Sequence, residues 1–187
     1  MDAFLFTLIL TFAIALGGRD QLIVGQFTDA AGHNGPMLLL GMGCAAASAA
    51  VMGFAGWSIA AMLPSRAADM LVAFALAAAG VELLFEVRLK DMKEPTRSYV
   101  AIAAVLFVRQ LMDGARFVVF AFAAQAVYPL VTIIGGALGG AAAVALGWYA
   151  SKRRLEAFPL RWIRTGFGAC LIVAAIYIGL NARFSPL

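Results

Sequence analysis

Charged residues are scarce in this chain, and the side chains that most often build soluble active sites are nearly absent. Only 13% of the 187 residues are charged, 64% are hydrophobic, and there are one histidine and two cysteines. A soluble domain of this size could not cover so much apolar surface, so the composition predicts an all-α integral membrane protein. Because the sequence has no CxxC, HExxH, P-loop or GxSxG pattern, we expect neither an enzyme nor a bound cofactor.

The isolated reactive side chains have ordinary structural interpretations. Cys44 and Cys170 lie in apolar runs, where a lone cysteine behaves as a small hydrophobic residue. His33 lies in a Gly/Asn-rich connection and is expected to be solvated. The net charge of +4 comes from basic residues that collect in loops, a pattern that reflects membrane orientation and does not indicate nucleic-acid binding.

The apolar runs predict six membrane-spanning helices in a single transmembrane domain, residues 1–187. The expected spans are Ala3–Phe27, Met37–Leu63, Asp69–Phe85, Tyr99–Val127, Leu130–Ala150 and Trp162–Leu180. A first repeat would cover about residues 1–90 and a second about residues 99–187, with a loop of mixed charge and four basic residues at about residues 86–98 between them. The positive-inside rule places this loop in the cytoplasm and both termini outside, in a multi-pass protein of the cell (inner) membrane.

Small residues dominate the second and fifth spans. Gly41 and Gly43 occur in the second span, and Gly135-Gly136 and Gly139-Gly140 form two overlapping GxxxG pairs in the fifth. Such residues let helix backbones approach closely in lipid. We therefore expect close contact between these two spans.

A polar stripe interrupts the fourth apolar run. Arg109, Asp113 and Arg116 lie within Tyr99–Val127 at spacing i, i+4 and i+7. On one continuous helix these residues and Gln110 share a face. A charged group in hydrocarbon costs about 2.5–3.5 kcal/mol on insertion scales, so the stripe is expected to face a partner or a cavity. It predicts either a functional site or a set of internal ion pairs.

The polar stripe belongs to an internal repeat. Ala15–Leu22 aligns with Gln110–Phe117, so position 15 matches position 110 and the offset is 95 residues. Each segment is followed by an apolar half-helix, a short break that contains Pro36 or Pro129, and a Gly/Ala-rich span. Because each half has three spans, the halves must have opposite orientations. Inverted repeats with polar, glycine-containing segments at matching positions are typical of secondary transporters.

With these segments in place, the layout resembles the Gdt-type family of manganese/calcium–proton exchangers, within the lysine-exporter-like superfamily. Both repeats of that family carry Glu-x-Gly-Asp-(Lys/Arg)-(Ser/Thr), usually followed by Gln. Gly17, Arg19 and Gln21 match the first motif, and Asp113 matches the acidic position of the second. The resemblance covers nearly the whole chain in span order and implies a cation–proton exchanger.

Several positions depart from the family pattern: Ala15, Gly18 and Asp20 in the first motif, and Gln110, Met112, Gly114, Ala115 and Arg116 in the second. Asp113 is therefore the only retained acidic motif position, and no metal ligand set is assigned. Asp20 adds a carboxylate, which would point about 200° away from position 18 on a regular helix. It could turn inward only if Gly17-Gly18 breaks the helix.

The resemblance and the polar segments together predict a divergent secondary transporter. Asp113, Gln110, Gln21 and Asp20 would line a substrate or ion pathway at the midplane between the halves. Asp113 or Glu82 could carry a coupled proton. The altered charge also allows a different small solute, anionic or zwitterionic, attracted by the stripe's basic end.

A second hypothesis remains open. Arg19, Glu82, Arg109 and Arg116 could form internal ion pairs with the aspartates, which would leave nothing for a divalent ion to neutralise. The chain would then be a non-transporting structural or assembly subunit of a larger membrane protein complex. The expected partners are the lipid bilayer and either a small cation or other small solute or further membrane proteins; nucleic acid is not among them.

Overall fold

The computed structural model describes residues 2–85 and 98–184, and within those ranges the chain is helical without strands. It contains eight helices: α1 Asp2–Ala15, α2 Arg19–Ala31, α3 Gly35–Ala61, α4 Ser65–Leu84, α5 Tyr99–Leu111, α6 Gly114–Gln125, α7 Pro129–Glu156 and α8 Leu160–Phe184. Most of the loop predicted at about residues 86–98 lies outside the described residues. Ser98 is described and caps α5, with its hydroxyl accepting from the Ala101 amide at 3.4 Å.

Four of the described helices, α3, α4, α7 and α8, are long and apolar enough to cross a membrane. The bent pair α1–α2 adds a fifth candidate span. Between these two helices the axis turns by 60°, and Gly17 has a φ of +68°, which favours glycine. The break at Gly17-Gly18 that would let Asp20 turn inward is therefore present.

The prediction of one continuous helix over Tyr99–Val127 is wrong. α5 ends at Leu111 and α6 begins at Gly114, because Asp113 between them has extended backbone angles, φ −81° and ψ 143°. At Gly114, α6 packs so closely on α4 that an added Cβ would lie 2.9 Å from a Glu82 carboxylate oxygen. The two halves of the predicted stripe consequently belong to different helices and do not share one face.

The end of the predicted fifth span at Ala150 coincides with a kink. α7 continues to Glu156, but Ser151 has φ 59° and ψ 164°, outside the helical region. After the kink, the Lys152 amide donates to the Asp29 carboxylate of α2 at 3.1 Å. Asp29 therefore satisfies a backbone donor that the kink leaves without a helical partner.

Two antiparallel helix pairs form the frame of the bundle, with α3 and α7 in its centre and α4 and α8 beside them. Gly41 of α3 lies against Val144 of α7, and Gly53 lies against Ile133, so the residue numbers run in opposite directions along the contact. The expected close contact between the second and fifth spans is confirmed. In the same way α4 packs antiparallel to α8, with Gly80 against Ile172 near one end and Gly179 against Ala73 near the other.

The broken helices, α1–α2 and α5–α6, pack on the two central helices, α7 and α3. α1 and α2 lie on α7, with Gly135 against Phe4 and Gly139 against Leu8, so α1 runs parallel to α7. α5 and α6 lie on α3, and the Cys44 thiol is 3.6 Å from the Ala103 carbonyl of α5. Each central helix thus carries one broken helix.

The outer surface of the bundle is apolar. Large hydrophobic side chains are exposed on several helices, for example Leu39, Phe74, Val100, Leu138 and Ile176. Such a surface fits a lipid environment, where the hydrophobic effect does not oppose apolar exposure. Cys44 and Cys170 are free thiols, and exposed His33 makes an edge-to-face contact with Trp148 at 4.8 Å between ring centroids.

The α3–α7 contact gives a stability prediction. Gly41→Val should destabilise the fold by about 1–3 kcal/mol, because a Cβ at this glycine would already lie 2.8 Å from Val144. Gly43→Val is the matched control, since Gly43 on the same helix has no atom within 4 Å of an added Cβ. Denaturant unfolding of both variants in detergent measures the difference, and equal losses would contradict the packing described.

Candidate functional site

The two helix breaks meet at one small cavity in the middle of the bundle. Its polar lining comes from the first break and the start of α2, and from the end of α5 and the start of α6: Asp20, Gln21, Gln110, Asp113 and Arg116. Ala15, Gly18 and three small or branched residues of α7 complete the wall. The cavity measures about 10 Å³, near the minimum that holds one water molecule.

On the first-repeat side, both polar atoms of the Gln21 side chain form hydrogen bonds within the protein. Its side-chain oxygen accepts from the Gly17 amide at 2.7 Å, and its side-chain nitrogen donates to the Ala143 carbonyl at 3.0 Å. Gln21 is 1% exposed, so both bonds are shielded from water. The side chain stabilises the break in the first span and fastens it to α7.

On the second-repeat side, Ser48 of α3 connects two polar side chains. Arg116 donates from Nε to the Ser48 hydroxyl at 2.7 Å, and this hydroxyl lies 3.3 Å from the side-chain oxygen of Gln110. Both contacts are buried. The guanidinium also packs on α7, where a Cβ added to Gly140 would lie 2.7 Å from Nη1 and from Nη2.

Two nitrogen donors at this side have no partner among the described residues. They are Nη1 of Arg116 and Nε2 of Gln110, in side chains that are only 2% and 1% exposed. Buried polar groups in proteins are nearly always hydrogen-bonded. The cavity wall of the second repeat is therefore a set of donors that a ligand or water must satisfy.

An ion pair between buried Arg164 and partly buried Glu82 lies beside the cavity. Arg164 of α8 donates from Nη2 to both Glu82 carboxylate oxygens of α4, at 3.2 and 3.3 Å. Its Nη1 is 3.4 Å from the Ile14 carbonyl at the end of α1, and Gly114 of α6 packs on the Glu82 carboxylate. One pair of side chains thus links the ends of both broken helices to the α4–α8 pair.

A larger cavity of about 190 Å³ reaches this ion pair from the surface. Gly17, Leu83 and Arg164 lie at its inner end, and exposed Phe158 and Arg161 lie at its outer end. Because Arg164 lines this cavity and Gly17 adjoins Gly18 of the central one, the ion pair and the first break separate the two spaces.

The structure brings together the four residues expected to line a pathway, Asp113, Gln110, Gln21 and Asp20. The ion pairs in the structure differ from the internal ion pairs expected from the sequence. Arg19 and Arg109 are exposed and form no ion pair within residues 2–85 and 98–184.

The other two residues of that expected set have different partners. Arg116 bonds to Ser48, while Glu82 pairs with Arg164. The break at Asp113 explains the difference, because it ends the helical spacing that would have placed Arg109 and Arg116 on either side of the carboxylate.

Sequence reasoning missed Arg164 and Ser48. Arg164 carried a signal, since it is a basic residue within a predicted apolar run, as Asp113 is. Ser48 carried none, because a serine in a helix rich in alanine and glycine is an ordinary small residue at a helix interface.

The described side chains do not form a typical divalent-metal centre. Within residues 2–85 and 98–184 there is no group of three His, Cys, Asp or Glu side chains able to hold a metal ion. Ca²⁺ and Mn²⁺ prefer several oxygen ligands. The side-chain oxygens of Gln21 and Gln110 already face donors, which leaves the two aspartates.

No family model, curated protein or solved structure matches this chain.

The Glu82–Arg164 ion pair gives a second stability prediction. Arg164→Met should destabilise the fold by about 2–3 kcal/mol, because it leaves the partly buried Glu82 and the Ile14 carbonyl without this partner. Arg161→Met on the same helix is the control, since this arginine is exposed and should change stability by less than about 0.5 kcal/mol. Unfolding titrations in detergent compare the two, and a similar loss in both would argue against a stabilising ion pair.

Proposed function

We propose that this chain is a secondary transporter built from two inverted repeats, with the cavity between the two helix breaks as its substrate site. The observation that carries the proposal is the meeting of both breaks, each at the matching position of its half, around one polar cavity. Broken helices at matching positions of inverted repeats form the midplane sites of many secondary transporters.

The helix packing supports the inverted repeat. If α1–α4 correspond in order to α5–α8, then α3 and α4 should each run antiparallel to their counterparts, α7 and α8. The glycine contacts of both pairs have this direction. If each helix is replaced by its counterpart in the other half, the packing of α1 and α2 on α7 becomes a packing of α5 and α6 on α3. This packing is also observed.

Two side-chain contacts support the same relation at the 95-residue offset. Gln21 corresponds to Arg116, and Ser48 corresponds to Ala143. Gln21 donates to the Ala143 carbonyl, and Arg116 donates to the Ser48 hydroxyl. The two halves therefore make equivalent contacts on opposite walls of the cavity.

In this proposal the two halves move against each other to open the cavity alternately to each side of the membrane. The larger cavity approaches from the end where Arg161 and the other basic residues of that segment collect, which is the cytoplasmic side by the positive-inside rule. The Glu82–Arg164 pair would have to separate for solute to pass from there to Asp113. Asp113 and Glu82 are the carboxylates placed to carry a coupled proton.

The resemblance to the Gdt-type exchangers agrees with this architecture. On that basis the proposed activity is cation–proton exchange with altered or lost metal selectivity. Asp20 and Asp113 are the carboxylates that remain for a cation, and Arg116 lies beside them. Metal transport is consequently one of several substrate classes to test.

Flux into liposomes that contain the purified full-length chain tests the proposal. Assays with labelled cations and with anion- and proton-sensitive dyes should reveal transport that Asp113→Asn reduces by about tenfold or more, because the variant removes the carboxylate at the second break. Asp2→Asn is the control, since it makes the same chemical change at an exposed position.

Absence of flux for every probe would contradict the proposal. Tight co-purification with other membrane proteins in that case would favour the alternative, a structural or assembly subunit.

A further inference from the structure

The central cavity has an unequal distribution of unsatisfied groups. On the first-repeat wall, both polar atoms of the Gln21 side chain are bonded to backbone groups, and the Asp20 carboxylate is the other polar group. The second-repeat wall presents the unpartnered donors Arg116 Nη1 and Gln110 Nε2, both deeply buried. A ligand held by this wall must therefore offer acceptor atoms.

The charge of the donors further restricts the class of ligand that this wall can bind. Arg116 is a permanent cation whose guanidinium is a strong donor to anions. A metal cation would meet this positive charge and would find the amide oxygen of Gln110 already facing the Ser48 hydroxyl. The wall of the second repeat is consequently suited to a negative ligand.

The carboxylates of the cavity require that the negative ligand enters with a proton. Asp20 and Asp113 line the same space, and two negative charges there would repel an anion. Protonation of one carboxyl group leaves a single negative charge, which Arg116 offsets, and it keeps the charge of the cavity unchanged when a monovalent anion binds.

Among the charged groups around the cavity, the two aspartates are the ones that can take up the proton that accompanies the anion. Glu82 from α4 and Arg164 from α8 neutralise each other, Arg19 is exposed, and Arg109, although exposed, acts electrostatically on Asp20. Helices α1, α3 and α7 contribute no charged side chain to the cavity wall.

The size of the cavity limits the ligand. A space of about 10 Å³ suits a species the size of one water molecule and excludes an organic solute in this conformation. We propose that the cavity between the two breaks binds a small monovalent anion, held by Arg116 Nη1 and Gln110 Nε2, together with a proton. The assignment rests on the proposed transporter function, because it names the substrate class of that same site.

Binding can be measured separately from transport. Thermal unfolding of the full-length protein in detergent is followed with increasing sodium fluoride or sodium chloride, with sodium gluconate holding ionic strength and sodium constant. A ligand that binds only the folded state raises the midpoint, and the stabilisation grows with the logarithm of one plus the ratio of free ligand concentration to Kd. We expect fluoride, the more water-sized anion, to stabilise the protein, and to do so more strongly at acid than at alkaline pH.

Two variants test the role of the guanidinium. Arg116→Gln places the residue of the matching position 21 here and should weaken anion binding by about tenfold or more, since a charge-assisted hydrogen bond is lost. Gly140→Ala keeps the charge but adds a methyl group against the flexible end of Arg116, which should displace Nη1 and also weaken binding. The second variant keeps the test valid if the first does not fold.

Matched controls accompany both variants. Arg183→Gln makes the same charge change at an exposed position away from the cavity, and Gly43→Ala adds a methyl group where no atom lies within 4 Å. Neither should alter the anion effect. An equal anion effect in Arg116→Gln, stabilisation by Mn²⁺ or Ca²⁺ in place of anions, or no anion effect at any pH would overturn the assignment.

The outcomes also separate this inference from the proposed function. Cation flux that depends on Asp113, without anion binding, would support the transporter function and contradict the anion site. Anion binding that depends on Arg116, with no flux for any probe, would support the anion site and contradict the transporter function.

Discussion

Two helix breaks inside an apolar bundle impose the main physical constraint on this structure. Each break frees backbone amides and carbonyls that lipid cannot satisfy, and each such group costs several kcal/mol if it stays unpaired. At the first break, Gln21 accepts the Gly17 amide and Arg164 reaches the Ile14 carbonyl. The polar side chains in the interior are therefore needed for folding as well as for any ligand, and their positions are fixed by the backbone they serve.

This constraint also explains where small residues are required. The side chains that satisfy the breaks must lie between closely packed helices, so the helices behind them need glycine at the contact. Gly147 faces Gln21 and Gly140 faces the Arg116 guanidinium, both on α7. Gly114 leaves room for the Glu82 carboxylate in the same way. The glycine pattern of α7 thus shapes the walls of the cavity as well as the packing of α1.

Much of this arrangement could be predicted from the sequence, because long apolar runs and their proline boundaries depend on local composition. The spans of α3, α4 and α8, the α3–α7 contact and the meeting of Gln21 with Gln110 and Asp113 are of this kind. The second break was not foreseen, since helical spacing over the polar stripe gave no reason to stop a helix at Asp113. Arg164 reaches Glu82 from 82 residues away, so the pairing depends on tertiary structure that local patterns do not specify.

In the proposed inverted repeat, corresponding positions of the two halves carry different side chains at the cavity. Gln21 and Arg116 occupy corresponding positions and bond to corresponding places on α7 and α3, yet the amide is satisfied and the guanidinium keeps one donor unpartnered. A cation buried in this way is costly unless something completes its hydrogen bonds. In the proposed anion site, the guanidinium at the position that matches Gln21 is the group through which a bound anion would stabilise the folded protein.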